Sequence, residues 1–207
     1  MHIPDGFLDP KTWIGCSAVT AGMLGVAVKQ TKEKLAEKQV PLMGVMAAFI
    51  FAAQMINFPI IGGTSGHLVG GVLAAVLFGP FSASIIMTVI LLIQCFLFND
   101  GGVTALGANI LNMGIIAPFL GYAVFRALRG TGSVIASFIA AWFSVVAAAA
   151  ACALELAVSG TSPLGVALPA MLFWHLFIGV GEGVITAAVV GYLERVKSDL
   201  LTEIVKV

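Results

Sequence analysis

Charge is what this chain of 207 residues has little of. Ten Lys and Arg balance ten Asp and Glu, so charged residues make up only 10% and the net charge is zero. Soluble globular domains carry about 25% charged residues, which places this chain outside that class. No basic patch is present to neutralise phosphates, which excludes nucleic acid as a partner. Cysteine is scarce too: Cys16, Cys95 and Cys152 each sit alone in an apolar stretch. An odd count without CxxC spacing excludes a disulfide framework or a zinc knuckle and leaves them as small core hydrophobes. No Walker A pattern occurs, so the chain is not expected to hydrolyse ATP. The first apolar stretch lacks the basic flank and small-residue cleavage site of a secretory signal and is expected to be retained.

What is present is hydrophobic: 60% of residues, with a mean hydropathy of +1.09. Seven apolar stretches cover roughly 11–30, 41–57, 63–79, 81–98, 106–128, 133–158 and 166–193. A helix needs about 20 residues to cross the hydrocarbon core, so the pattern predicts an all-α integral membrane protein with seven transmembrane helices. The third stretch is short and opens on Gly62-Gly63-Thr64-Ser65-Gly66-His67, which predicts a broken or partly re-entrant span. The chain reads as one membrane domain, with an arm at 1–10, spans over 11–193 and a tail at 194–207. Pro4, Gly6 and Pro10 keep the arm from forming a regular helix.

Basic residues give the orientation. Lys29, Lys32, Lys34 and Lys38 follow span 1, Arg126 and Arg129 follow span 5, and Arg195, Lys197 and Lys206 follow span 7. With seven spans these segments share one side, which the positive-inside rule makes cytoplasmic. Only Lys11 falls on the other side. The N-terminus is therefore expected outside and the C-terminus inside.

Polar residues within spans cluster toward the outer side: Gln54, Asn57, His67, Gln94, Asn99, Asp100, Asn109, Asn112 and Glu155. Polar groups in a bilayer are costly and usually functional. Their bias toward one side predicts a polar cavity open outward and sealed inward. Helix caps and loop backbone would account for Asn57, Asn99 and Asn109 equally well, but less well for Gln54, Gln94 and Asn112.

The first two residues offer a chelate. A histidine in second position presents the α-amine of Met1, its own backbone amide and its ring Nδ1 in sequence. These close a five-membered and a six-membered ring on one metal. Three coplanar nitrogens suit a square-planar ion, Ni(II) or Cu(II), rather than tetrahedral zinc. The dipeptide alone is a weak signal, since a histidine after the initiator methionine can be chance. His67 is the natural fourth donor, because neutral imidazole is a common metal ligand and the glycines before it let the backbone approach closely. The amine would have to be free. Since the deprotonated amide supplies a negative charge, acids need not bind the metal. Asp5 and Glu155 would then attract the ion or steady its ligands, as Gln54 and Ser65 would; for Asp5 a plain turn role in Pro4-Asp5-Gly6 is an equal alternative.

Five ordered motifs carry a resemblance over essentially the whole chain: the opening MHIPDGFL, Gln54 to Pro59, Gly62 to Gly71, Asn99 to Asn109, and His175 to Glu182. Together they resemble the NikM/CbiM family, the membrane substrate-binding components of nickel and cobalt energy-coupling factor transporters. The resemblance implies a six-helix bundle with one extra N-terminal helix, in a prokaryotic inner membrane. It implies a metal held by the Met1 amine, the His2 amide and ring, and a ring nitrogen of His67. It also implies partners: a coupling membrane subunit, two ABC-type ATPases and, as a further candidate, a small accessory membrane protein. Nickel is the first candidate for the transported ion and cobalt the second. Gly44, Ala48 and Ala52, at four-residue spacing on span 2, are the candidate docking face for the coupling subunit, with packing inside the bundle as the alternative.

Two readings remain beside this one. His175 and Glu182, seven apart on span 7, would share a helix face as a buried polar pair locking helices together, or as part of a gate. Gly63 to Gly66 reads G-T-S-G, which matches a rhomboid-like serine protease with Ser65 as nucleophile and His175 as base. That reading leaves the MHIPDGFL opening unexplained.

Overall fold

The computed structural model describes residues 1–34 and 39–196. Lys38, Lys197 and Lys206 of the basic clusters, and the tail beyond 196, lie outside the described residues, as does the side chain of Lys34. The elements in order are α1 (Pro10–Lys34), α2 (Val40–Gln54), the two-residue strands β1 (Phe58–Pro59) and β2 (Ser65–Gly66), and α3 (Gly71–Phe98). Then come α4 (Leu106–Ile110), a π-helical turn (Leu111–Ile116), α5 (Ala117–Leu128), α6 (Ser133–Val158) and α7 (Leu164–Val196). Among the described residues, five stretches are long and apolar enough to cross a membrane: Pro10–Glu33, Gly71–Phe98, Leu106–Thr131, Ser133–Val158 and Leu164–Val196. Val40–Gln54 is a shorter apolar helix.

The seven separate helices expected from the sequence are thus corrected at the third and fourth spans. Residues 63–70 are irregular apart from the strand at Ser65–Gly66, and helix begins only at Gly71. The rest of span 3 and all of span 4 belong to α3, which breaks at Gly79 (φ 80°, ψ 160°) before Pro80. Glycine alone tolerates that backbone region, and the proline that follows lacks an N–H to continue the helical ladder. Contacts on the two sides of the break run in opposite directions. A Cβ on Gly71 would touch Pro118, Val72 lies against Gly121, and Val76 shares a cluster with Phe125. Beyond the break, the Phe81 ring packs edge-on against Phe119, and Met87 approaches Gly114. The chain therefore doubles back at Gly79.

Small residues set how closely the remaining helices approach. Gly179 and Gly183 on α7 lie directly against Trp142 and Phe138 on α6. The π-helical turn carries Asn112, fully buried, whose Nδ2 donates to Glu155 Oε2 on α6 at 2.6 Å. Such turns recur at functional sites because they re-aim a side chain without ending the helix. The core contains Ile50, Val69, Met87, Met113 and Leu156, and with them Met1 and Ile3, both 0% exposed. The N-terminal arm is part of the core rather than an appendage. Large apolar side chains such as Val45, Leu97 and Phe177 point outward, as a lipid-facing surface requires.

Candidate metal centre

The β1–β2 hairpin pairs Phe58 with Gly66 and Pro59 with Ser65, and it carries the chain from α2 inward to His67. The arm enters from the side of the loop after α3. A Cβ on Gly102 would overlap Pro4 and Asp5, so only glycine lets the two strands of chain pass this closely. Gly102 N–H donates to the Ile3 carbonyl at 2.8 Å. Asn109 then grips Ile3 from both sides: its Oδ1 accepts the Ile3 N–H at 2.8 Å and its Nδ2 donates to the Ile3 carbonyl at 3.1 Å. Further out, the Asp5 carboxylate accepts from Val103 N, Thr104 N and the Thr104 hydroxyl. These bonds hold the Asp5 carboxyl below its usual pKa, the Thr104 hydroxyl most strongly. Thr161 donates to the Phe7 carbonyl.

So anchored, the arm places its first two residues against Ser65 and His67. The Met1 nitrogen lies 2.6 Å from the Ser65 carbonyl, 2.9 Å from Ser65 Oγ and 2.6 Å from His67 Nε2. The His2 N–H donates to Ser65 Oγ at 3.0 Å. The rings of His2 and His67 stack with centroids 4.5 Å apart. Hydrogen bonds assign the tautomers. His67 Nδ1 sits 2.7 Å from the Leu68 carbonyl and so carries the proton, which leaves the Nε2 lone pair facing Met1. His2 Nε2 donates to Gln94 Oε1 at 3.1 Å, which leaves Nδ1 as the unprotonated nitrogen, buried and without a hydrogen bond. Asp100 Oδ1 stands 3.3 Å from that nitrogen.

The electrostatics suit a cation that binds through nitrogen lone pairs. Burial pushes the Met1 amine down from 8.0 to about 5 and His2 down from 6.5 to about 3. Both are therefore mostly unprotonated at neutral pH and have lone pairs to offer. Burial pushes the Asp100 carboxyl up. With metal–nitrogen bonds of about 2.0–2.1 Å, neighbouring donors of a square plane stand about 2.9 Å apart. The Met1–His67 separation is close to that spacing. Among the described residues, no group of three or more His, Cys, Asp or Glu side chains could hold a metal. A centre at this place depends on the terminal amine and a main-chain amide.

Of the residues singled out in the sequence, Met1, His2, Ser65 and His67 come together here. Gln54 and Glu155 bond elsewhere: Gln54 Nε2 donates to the Val69 carbonyl at 2.6 Å, and Glu155 accepts from Asn112 and from the Cys16 thiol. Gly44, Ala48 and Ala52 form an exposed stripe on α2. His175 and Glu182 share no hydrogen bond; His175 Nδ1 bonds the Met171 carbonyl of its own helix, while Glu182 accepts from the backbone of Val69 and Gly70. The protease reading finds no support, because Ser65 Oγ is committed to the Met1 amine and the His2 amide, not to His175. Sequence reasoning noticed Gln94, Asp100 and Asn109 only as members of an outer polar set, and missed that they grip the arm.

Comparison with known proteins places the chain in a family. The family model described as "Cobalt uptake substrate-specific transmembrane region" matches residues 2–200. The protein provisionally named fused nickel transport protein NikMN in Archaeoglobus fulgidus is 43% identical over 98% of this chain and 68% of its own length. The protein provisionally named cobalt transport protein CbiM in the same organism is 34% identical over the full length of both. A crystal structure of a truncated transition metal transporter superposes with a TM-score of 0.91 at 42% identity, covering 94% of this chain and 99% of that one. A family match over nearly the whole length, backed by a shared fold at this identity, means that the chain belongs to the CbiM family.

Proposed function

We propose that the chain binds a divalent transition metal ion, nickel first and cobalt next, and carries it across the membrane as the substrate-binding component of an ATP-driven energy-coupling factor importer. The ion is held by the Met1 amine, the deprotonated His2 amide, His2 Nδ1 and His67 Nε2. One observation carries this reading: the Met1 nitrogen lies 2.6 Å from His67 Nε2 in a buried place where His2 Nδ1 makes no hydrogen bond, although the Asp100 carboxylate stands 3.3 Å away. A buried nitrogen with a free lone pair is costly unless something binds it. Relatives named for nickel and cobalt transport support the same cargo.

In this reading the segment from 63 to 78 descends through the bundle and 80–98 returns, making seven crossings with the N-terminus outside and the C-terminus in the cytoplasm. The doubling back at Gly79 supports this, as does the collection of Lys29, Lys32, Arg126, Arg129 and Arg195 at segments that an odd number of crossings puts on one side. ATP hydrolysis falls to two partner ATPases, joined through a coupling membrane subunit that docks on the exposed Gly44, Ala48 and Ala52 stripe. Purified protein loaded with Ni(II) tests the centre. Elemental analysis is expected to give one nickel per chain, and the complex is expected to be yellow and diamagnetic, as four nitrogens in a plane impose. A paramagnetic, six-coordinate, oxygen-rich spectrum would overturn it.

A further inference from the structure

Glu182 lies outside the four-nitrogen centre, yet it is 2% exposed within α7 and both its oxygens are engaged. Oε2 accepts the Val69 N–H at 2.6 Å and Oε1 accepts the Gly70 N–H at 2.7 Å. Two N–H groups converging on one buried carboxylate form a charge-assisted clamp. The Val69 N–H belongs to the same planar unit as the Leu68 carbonyl. That carbonyl is the acceptor for His67 Nδ1 at 2.7 Å. In a trans peptide the N–H and the C=O point in opposite directions. Carboxylate, peptide and imidazole therefore form one chain of hydrogen bonds, and it ends on His67 Nε2, which faces Met1 at 2.6 Å.

We infer that Glu182 is a positioning residue for His67, acting through the Leu68–Val69 peptide. The inference rests on the reading of His67 as a metal donor. The carboxylate fixes the peptide plane, keeps the His67 proton on Nδ1 and makes Nε2 the better donor. Metal-bound histidines generally give their second N–H to a carboxylate or a carbonyl, which sets ring orientation and raises basicity. Here both kinds of partner act in series. Successive hydrogen bonds polarise one another, so the negative charge on Glu182 strengthens the Leu68 carbonyl as an acceptor and enriches Nε2. The arrangement also gives α7 a hold on the centre from the far side of the segment that carries His67. Gln54 provides a built-in control: it grips the Val69 carbonyl, one peptide further on, and does not touch the plane that carries the Leu68 oxygen.

The experiment uses the full-length protein in detergent, as wild type, Glu182→Gln, Glu182→Asp and Gln54→Met. It follows the His67 ring tautomer by ¹⁵N NMR without metal, then the affinity and the visible band on Ni(II) titration. Glu182→Gln is expected to bind Ni(II) about tenfold more weakly, at the lower end of the range for losing a group behind a ligand. Its band moves to lower energy and the His67 tautomer becomes mixed. Glu182→Asp, which keeps the charge on a shorter side chain, gives an intermediate shift, and it carries the test if the glutamine variant does not fold. Gln54→Met lowers the melting temperature while tautomer and band stay at their wild-type values. An unchanged band and tautomer in the Glu182 variants, or the same shift in Gln54→Met, would overturn the inference. If Ni(II) leaves the His67 resonances of the wild type unmoved, the proposed centre itself is wrong, which separates the two failures.

Discussion

The donors of the proposed centre are distinct from the groups that hold them, Ser65 at Met1 and at the His2 amide, Gln94 at the His2 ring and the Leu68 carbonyl at His67, so single substitutions separate binding from positioning. His2→Ala removes a chelate ring and His67→Ala removes the fourth donor. Each is expected to weaken Ni(II) binding by more than about 100-fold, beyond what the loss of a supporting group causes. Isothermal titration would show it, and losses equal to that of Glu182→Gln would mean the centre is misplaced. Asn109→Ala removes both grips on Ile3. Two neutral hydrogen bonds contribute about 1–3 kcal/mol net, so affinity falls by about five- to 150-fold while the spectrum of the saturated protein stays the same.

The pH dependence of binding follows from the same protons. With the amine near 5 and His2 near 3, neither carries a proton at neutral pH, and the His2 amide alone must release one when the metal binds. Log affinity is therefore expected to rise with a slope of about one per pH unit through neutrality, and more steeply below about pH 5, where the amine gains a proton that the metal must displace. A slope of two or more at pH 7 would show an amine that remains protonated. Residue types and order alone suggested Met1, His2 and His67. Hydrogen-bond partners were less legible, because Asn109 and Gln94 look like ordinary caps or span polarity until the arm is seen packed against them. The Leu68 carbonyl gave no signal at all, since main-chain oxygens carry no sequence identity.

At the scale of elements, the break in α3 depends on one residue. Gly79 sits at φ 80° with no atom near a would-be Cβ, so substitution meets backbone strain rather than a clash. Gly79→Ala is expected to cost about 1–3 kcal/mol, read as a lowered melting temperature, with the metal spectrum intact. Unchanged stability would mean that the chain turns there for some other reason. Hydropathy located this break well, as the gap between the stretches ending at 79 and beginning at 81, because glycine followed by proline interrupts any helix. It misjudged what precedes the break. Residues 63–70 are apolar enough to read as membrane helix, yet their backbone is spent on the hairpin, on Glu182 and on Gln54. Long-range partners of this kind do not register in a local window. The π-helical turn that aims Asn112 inward was equally hidden, since one extra residue in a turn barely alters hydropathy.

Across the whole molecule, the N-terminus is buried in the core rather than a loose end. Met1 is 0% exposed and its nitrogen contacts Ser65 and His67. Any residue joined to that nitrogen would turn the amine into an amide, a far poorer donor unless it is deprotonated. It would also have to fit where the core is already filled, and an overpacked site typically costs about 1–3 kcal/mol. Anchors further along the arm, at Ile3, Asp5 and Phe7, would still hold. An uncleaved N-terminal tag is therefore expected to abolish Ni(II) binding while the protein still inserts, folds and migrates as a single species. The same tag after Val207 leaves stoichiometry and spectrum unchanged. Parallel metal analysis of the two tagged forms decides the matter: an N-terminally extended protein that still bound one nickel with an unaltered spectrum would rule out the Met1 amine as a donor.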